Sequence, residues 1–154
     1  MVSDRTHLYQ TRVTWSDDAG TSAYPAYGRD HILHIDGKPD LAMSADPAFL
    51  GDPARHDPEE LLVASLSSCH MLWYLALCAS HGVVVTAYED NASGTLTEAQ
   101  GGRFVEVTLT PKVTLGAGDA EKARQLHEVA HRKCFVANSV NFPVTVAPEI
   151  IVAG

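Results

Sequence analysis

The chain has few cysteines and few basic residues, and each shortage excludes a class of protein. Only 3 of the 154 residues are Cys, an odd and sparse set that argues against a disulfide-stapled secreted domain and favours reduced thiols. Acidic residues outnumber basic ones by 19 to 11, which gives a formal net charge of −8. An acidic chain gains no counterion-release energy on a nucleic-acid backbone. We therefore expect neither nucleic-acid binding nor binding to an anionic membrane surface.

The N-terminal segment, MVSDRTHLYQ, lacks the basic region followed by an apolar region that marks a secretory signal. Together with the sparse cysteines, this predicts a cytoplasmic protein. A length of 154 residues with 45% hydrophobic content fits one domain, residues 1–154, with a sizeable core.

The hydrophobic periodicity predicts an α+β fold in the order β-β-β-α-β-β-α-β. The second helix begins after the turn at 116–119 and ends near Cys134, and a loop rich in proline precedes the first helix. In chain order, we predict strands at 7–16, 31–35 and 41–44 and a helix from 58 to about 80. Residues 83–88 and 93–97 follow as strand, readable as one long strand with a polar bend at 89–91, and then come a partner strand at 103–113, a helix at 119–134 and a strand at 142–152.

The first helix has a clear start signal and a body that is apolar on almost every face. Asp57 is placed as the N-cap, Pro58 at the first helical position and Glu60 at the third. The body, LLVASLSSCHMLWYLALCAS, is long enough to cross a bilayer. Several Ser residues and His70 interrupt it, however, and no basic flank or second span follows. We therefore predict a core helix that needs cover on every side, with a second copy of the chain as the natural cover.

The three cysteines differ in what they can reach. Cys78 follows Cys69 by nine residues, which is half a turn off at about 13.5 Å of rise, so the two cannot form a disulfide. Cys78 is interpreted as a small core residue. Cys134 follows the second helix, and composition alone leaves open that Cys69 and Cys134 are unrelated buried thiols. Glu59 lies about 15 Å from Cys69 along the helix, so a carboxylate that contacts this thiol must come from another copy.

A competing motif lies on the second helix. Residues 127–131 read HEVAH, which matches the H-E-x-x-H pattern of zinc hydrolases, with His127 and His131 as ligands and Glu128 as general base. Glu149 is a conceivable third ligand. Little chain follows to build a peptidase cleft, and two histidines on one face of a surface helix are more often simply solvated. Zinc hydrolysis is therefore the least favoured function.

Two stretches resemble the OsmC/Ohr family. Residues 56–70, HDPEELLVASLSSCH, resemble the family's helix start with its cysteine, including the Glu59 to Cys69 spacing, and residues 130–140, AHRKCFVANSV, resemble its second cysteine segment. The resemblance covers nearly the whole chain. It implies an intertwined homodimer with the two long helices packed centrally and the sheets wrapped around them.

The resemblance also implies a chemistry, thiol-dependent reduction of organic hydroperoxides in oxidative stress defence. Cys69 is then the peroxidatic thiolate and Cys134 the resolving thiol, with Glu59 donated across the dimer. The implied partners are a small hydrophobic hydroperoxide and an external dithiol reductant. No cofactor and no metal are implied.

The chain departs from the family pattern at two places. The family pairs its carboxylate with an arginine about ten residues upstream, which stabilises the thiolate. This chain has Phe49 and Leu50 at the corresponding positions before Glu59. The nearest arginine is Arg55, and Arg29 lies much earlier in the chain. We predict Arg55 as the substitute, with His70 or His56 as alternatives. Many of the family's peroxidases also have proline after the second cysteine, where this chain has Phe135 and Val136. A member without peroxidase activity, which binds a small hydrophobic ligand at the dimer groove, is therefore the second hypothesis.

Overall fold

The structure, a computed structural model, describes residues 4–154. Residues 1–3 lie outside the described residues. They belong to the N-terminal segment in which the sequence predicts no secretory signal. The chain forms two compact units, the first ending at Leu61 and the second spanning Leu62–Gly154. The single-domain prediction stays a prediction.

Within residues 4–154, two α-helices and nine strands form an α+β fold, which is the predicted fold class. The helices are α1 (Pro58–Ser80) and α2 (Ala120–Lys133). The strands are β1 (Arg12–Thr14), β2 (His31–His34), β3 (Leu41–Met43), β4 (Val84–Asp90), β5 (Ser93–Thr97), β6 (Arg103–Leu109), β7 (Pro111–Ala117), β8 (Val144–Val146) and β9 (Glu149–Val152).

The helix signals in the sequence act as predicted. At the start of α1, the backbone N–H of Glu60 donates to the Asp57 carboxylate at 2.8 Å, and the Asp57 N–H donates to the Glu60 carboxylate at 3.4 Å. This reciprocal pair satisfies two backbone donors that a helix start leaves free. Gly82, with φ of +72°, ends the helix in a left-handed conformation that suits glycine. Asp119 caps α2 in the same way as Asp57 caps α1.

The number of strands differs from the prediction between and after the helices. The bend predicted at 89–91 does separate β4 from β5, but two strands replace each of the single strands predicted at 103–113 and 142–152. The predicted strand 103–113 breaks at Thr110, whose backbone N–H donates to the Asp90 carboxylate at 2.7 Å. Pro111 follows, and the strand before it also bends, at Asn91, whose carbonyl accepts from the Thr110 hydroxyl. The last strand breaks before Pro148, which has no N–H to donate. The result is one long hairpin bent in two.

Each half of the bent hairpin belongs to a different sheet of the second unit. One sheet has the order β4-β7-β9 and the other β5-β6-β8, with the last strand of each pairing in parallel. The first unit holds its own antiparallel sheet, β1-β2-β3.

Helices α1 and α2 meet in the core of the second unit. One stripe of α1, spaced four residues apart, is buried there: Leu66, His70, Tyr74 and Cys78. Tyr74 and Cys78 pack against Ala123, Leu126 and Ala130 of α2.

The other faces of α1 remain partly open in one chain, with Leu72 60% exposed. Within residues 4–154, α1 is the one helix long and apolar enough to cross a membrane, with a mean hydropathy of 1.6. The core helix of a soluble protein passes the same test. Only 22% of its most apolar window is buried within the chain.

Candidate functional site

The second unit brings the thiols of Cys69 and Cys134 together. Cys69 lies midway along α1 and is partly exposed, whereas Cys134 lies directly after α2 and is buried. The Cys69 thiol lies near enough to that of Cys134 to raise its pKa. The backbone N–H of Ala137 donates to the Cys134 sulfur at 3.4 Å. The packing of the two helices thus makes a thiol pair that no local sequence pattern could establish.

The two thiols of this pair lie in different environments. Burial raises the pKa of Cys134 to about 11, and the Cys69 thiol adds to the rise, while the N–H groups of Ala137 and Val136 oppose it. A buried thiol with a high pKa stays protonated at neutral pH and makes a poor attacking group. Cys69, the more exposed thiol, is therefore the better placed of the two to react first.

The residue after Cys134 is aromatic and packs beside α1. The Phe135 ring contacts the Trp73 ring edge-on at 5.3 Å between centroids, and the Lys133 ammonium lies 5.5 Å from the centre of the same Trp73 ring. Phe135 is nevertheless 69% exposed. The departure from a proline at this position thus places an exposed aromatic surface next to the buried thiol.

Cys78 lies apart from this pair, in the aromatic core. It is 1% exposed, and burial raises the pKa of its thiol although the Tyr74 hydroxyl opposes the rise. The interpretation of Cys78 as a small core residue fits this placement.

The first unit contains an apolar cavity of about 430 Å³. Aromatic side chains, Trp15, Tyr27 and Phe49, form much of its wall. Three charged residues also line it, Arg29, Asp46 and Glu59. A carboxylate and a cation therefore share one apolar cavity, an arrangement that strengthens their electrostatic effect on a bound molecule.

Arg29 is held in place by the two tyrosines before it. Its guanidinium donates to the carbonyls of Tyr27 and Tyr24, and it stacks on both rings, 3.8 Å from the Tyr27 centroid and 4.6 Å from the Tyr24 centroid. These contacts fix the guanidinium, which forms no salt bridge with a carboxylate of residues 4–154.

Arg55, the predicted cation, lies in a different place. Its Nε is 3.3 Å from a carboxylate oxygen of Asp30 and 3.9 Å from one of Asp52. It borders a separate pocket with Asp30, and the cavity that contains Glu59 does not include it. The catalytic role of Arg55 stays a prediction, but the geometry favours Arg29 as the cation that accompanies Glu59.

The two histidine alternatives also differ from what the sequence suggested. His70 is 1% exposed, and burial lowers its pKa to about 4, with the charge of His131 adding to the fall. It is therefore neutral at pH 7 and supplies no positive charge to a thiolate. His56 lies 3.8 Å from the Glu60 carboxylate at the surface.

His127 of the HEVAH motif faces the core and bonds to His70. The ring nitrogens Nδ1 of His127 and Nε2 of His70 are 3.0 Å apart, and the Tyr74 ring stacks on His127 at 3.7 Å. Burial lowers the pKa of His127 to about 3, with the charges of His70 and Arg124 adding to the fall. Within residues 4–154, no group of three or more His, Cys, Asp or Glu side chains is arranged to hold a metal ion.

Sequence reasoning missed two features, Arg29 and the buried histidine pair. Arg29 follows Tyr24 and Tyr27, an aromatic setting typical of a stacked arginine, but it precedes Glu59 by thirty positions in the sequence. His70 and His127 are 57 residues apart. Only the tertiary fold relates such residues.

The comparisons with known proteins agree with the two sequence motifs. A family model described as OsmC-like protein matches residues 51–149. A solved OsmC-like protein of unknown function from Vibrio cholerae is similar to this chain at 35% identity, with a TM-score of 0.82, 95% of this chain covered and 100% of that chain. No curated protein sequence matches the chain.

Two more distant solved structures carry names that mention hydroperoxides, and their likeness shows the fold alone. One is a putative organic hydroperoxide resistance protein from Vibrio cholerae with captopril bound in one of its active sites, at 22% identity, a TM-score of 0.66, and 99% and 96% coverage of this chain and that one. The other is an organic hydroperoxide resistance protein OsmC from Legionella pneumophila, at 16% identity, a TM-score of 0.66, and 95% and 99% coverage.

Proposed function

The chain belongs to the OsmC-like family, and on that premise we propose that it is a thiol-dependent peroxidase that reduces organic hydroperoxides through Cys69 and Cys134. The observation that carries the proposal is the proximity of the two thiols, one partly exposed and one buried. Adjacent thiols with unequal exposure suit an attacking and a resolving role.

The reaction proceeds in two steps on the protein. The Cys69 thiolate attacks one peroxide oxygen, the O–O bond breaks, and the alkoxide that leaves takes a proton to become an alcohol. Cys69 is then a sulfenic acid. The Cys134 thiol condenses with it, an S–S bond forms and water leaves. An external dithiol returns two electrons and two protons and restores both thiols.

Glu59 and Arg29 serve the attacking thiol from a second copy of the chain. Since about 15 Å separates Glu59 from Cys69 along one helix, the carboxylate of the same chain cannot touch that thiol. A partner's cavity, with its fixed guanidinium, would stabilise the negative charge on the thiolate and on the leaving alkoxide. We propose Arg29 for this role in preference to Arg55.

A homodimer supplies that second copy and covers the open faces of α1. The exposed Leu72 and Phe135 make an apolar surface that water hydrates poorly. The aromatic walls of the cavity in the first unit suit a small hydrophobic substrate. A cytoplasmic location fits the reduced thiols.

Peroxide consumption with cumene hydroperoxide and dithiothreitol tests the proposal. The wild-type protein should turn over, Cys69→Ser should consume none, and Cys134→Ser should stop after one oxidation of Cys69. Cys78→Ser is the matched control because the Cys78 thiol is as buried as that of Cys134 but lies apart from the pair. This variant should retain the wild-type rate. A wild-type protein that consumes no peroxide, or a Cys69→Ser variant that still does, contradicts the proposal.

A second candidate function is binding of a small hydrophobic ligand without thiol chemistry. The cavity of the first unit favours it, since about 430 Å³ with aromatic walls is within the range of sites for small molecules. Saturable binding of cumyl alcohol by a protein that leaves cumene hydroperoxide intact would favour this function over the first.

A further inference from the structure

A second cavity, of about 490 Å³, lies in the second unit beside α2. Its other wall comes from the connection of β8 to β9, with Val146 and Pro148. The residues that α2 contributes are Arg124, His127, Glu128, His131 and Arg132. Neither Cys69 nor Cys134 lines this cavity, and neither does any residue of the first unit.

The cavity is positively charged in a negatively charged protein. Arg124 and Arg132 contribute two positive charges and Glu128 one negative charge, whereas the whole chain has a net charge of −8. Arg124 is only loosely engaged, with its Nε 3.9 Å from Glu121 and one N–H 3.5 Å from the Pro148 carbonyl. Both guanidinium groups are exposed, so they remain available to an anion.

Two buried nitrogens, on histidines that line this cavity, have no hydrogen-bond partner within residues 4–154. His127 is 2% exposed, and its Nε2 is unpaired because its only bond, to His70, uses Nδ1. The Nδ1 of His131 is also buried and unpaired. A buried polar atom without a partner is unfavourable because it has given up its hydrogen bonds to water, so a group that bonds to these nitrogens stabilises the folded protein.

The dipole of α2 explains only part of the arrangement of basic side chains and histidines at this cavity. Basic side chains in the last turn of a helix offset the negative end of its dipole, which accounts for Arg132. It does not account for a cavity beside α2, nor for the unpaired nitrogen of a histidine that is almost fully buried. Those two observations point to an occupant.

We infer that this cavity binds a small organic carboxylate, with Arg124 and Arg132 on its carboxylate oxygens, His127 as a donor and the wall at Val146 and Pro148 against its apolar part. Guanidinium groups match a carboxylate with two parallel hydrogen bonds. A divalent metal is disfavoured because both arginines would repel it. The inference is independent of the proposed peroxidase activity.

Carboxylate binding also sets the tautomers of the buried histidine pair. If His127 donates from Nε2 to the ligand, its Nδ1 must accept from the Nε2–H of His70, because a neutral imidazole carries one proton. Without the ligand, the opposite arrangement is open to the pair. The ligand therefore fixes which nitrogen of each ring is protonated, and this is measurable in the full-length protein.

Titration of the 15N-histidine-labelled protein with benzoate, followed by NMR of the ring nitrogens, tests the inference. We expect saturable shifts at His127 and His131, and none with benzamide, which has the same ring but no charge. Arg132→Gln and Arg124→Gln should each weaken benzoate binding about tenfold or more. Arg132→Lys should recover part of it. Arg103→Gln, an exposed arginine on β6 outside the cavity, is the matched control and should bind as the wild type does.

Several results would overturn the inference. They are an absence of saturable shifts, equal shifts with benzamide, or benzoate binding that survives both arginine substitutions. Shifts produced by Zn²⁺ with no response to benzoate would also overturn it, because they would assign the cavity to a metal. Since Arg124 and Arg132 are both exposed, their variants should fold, and the unchanged spectrum of residues far from the cavity will verify this.

Discussion

The two units of the chain differ in how they are held together. The second unit has a dense core with a dozen buried apolar side chains, whereas Met43 is the one buried apolar side chain of the first unit within the described residues. The first unit contains a short sheet, edge-to-face aromatic pairs, an arginine over two tyrosine rings and surface ion pairs. Its aromatic side chains line a cavity instead of a core. The second unit thus positions the thiols, and the first provides a charged apolar cavity.

The largest expected effect is on the stability of the second unit. Leu66 is fully buried, so Leu66→Ala should lower the free energy of unfolding by about 2 to 5 kcal/mol. Phe49→Ala is the contrasting change in the first unit, where the ring is 38% exposed, and it should cost less than about 1 kcal/mol. Urea unfolding at one protein concentration measures both. Equal losses would abolish the distinction between the units.

Acid should destabilise the second unit through its histidine pair. Burial lowers the pKa of His70 to about 4 and of His127 to about 3, from 6.5. Between these values and pH 6.5 the unfolded chain binds more protons than the folded one, so stability falls as pH falls. At pH 5 the loss is on the order of 2 kcal/mol per histidine, and it is absent above pH 6.5.

Urea unfolding at pH 7 and pH 5 measures this dependence. His127→Phe, which preserves a ring to stack on Tyr74, should reduce it substantially. His81→Gln changes an exposed histidine and should leave it intact. A wild-type protein equally stable at both pH values would show that the pair is not neutral and buried as described.

A change at Arg29 should affect reactivity and not folding. Arg29→Gln removes the fixed positive charge from the cavity of the first unit, and we expect oxidation of Cys69 to slow about tenfold to a hundredfold. Stopped-flow measurement with cumene hydroperoxide reports the rate. Arg55→Gln is the matched control, and its rate should stay within about twofold of the wild type. The reverse pattern would restore Arg55 as the catalytic cation.

The smallest expected effect is the contribution of Arg55 to stability. Its pairs with Asp30 and Asp52 involve side chains that are 30% to 47% exposed, and such pairs contribute about 0 to 1 kcal/mol. Arg55→Gln should therefore lower the unfolding free energy by less than about 1 kcal/mol. A larger loss would mean that the first unit depends on this ion pair more than its exposure indicates.

The sequence predicted the features that short-range signals determine. The ends of both helices follow from residues within one turn of them, such as Asp57 with Glu60 and Asp119, and family motifs led to the correct fold class. The break at Thr110 was missed because the carboxylate that accepts its N–H belongs to Asp90, 20 residues earlier. Local alternation of polar and apolar residues carries no information about such a bond.

The candidate site depends on residues that are distant in the sequence, which local signals do not relate. The Cys69 and Cys134 pair could be named only through the family resemblance, since α1 and α2 bring the two together from distant positions. Arg29 was passed over for Arg55 because nearness in sequence to Glu59 was taken as nearness in space. The structure shows instead that Arg29 shares a cavity with that carboxylate.

Mass spectrometry of the oxidised protein tests the central claim most directly. The reduced protein is treated with one equivalent of cumene hydroperoxide, its free thiols are alkylated, and its peptides are mapped without reduction. The account predicts a loss of two hydrogens, a disulfide that joins Cys69 to Cys134, and Cys78 alkylated. A Cys69 that remains alkylated, or a disulfide that includes Cys78, would contradict it.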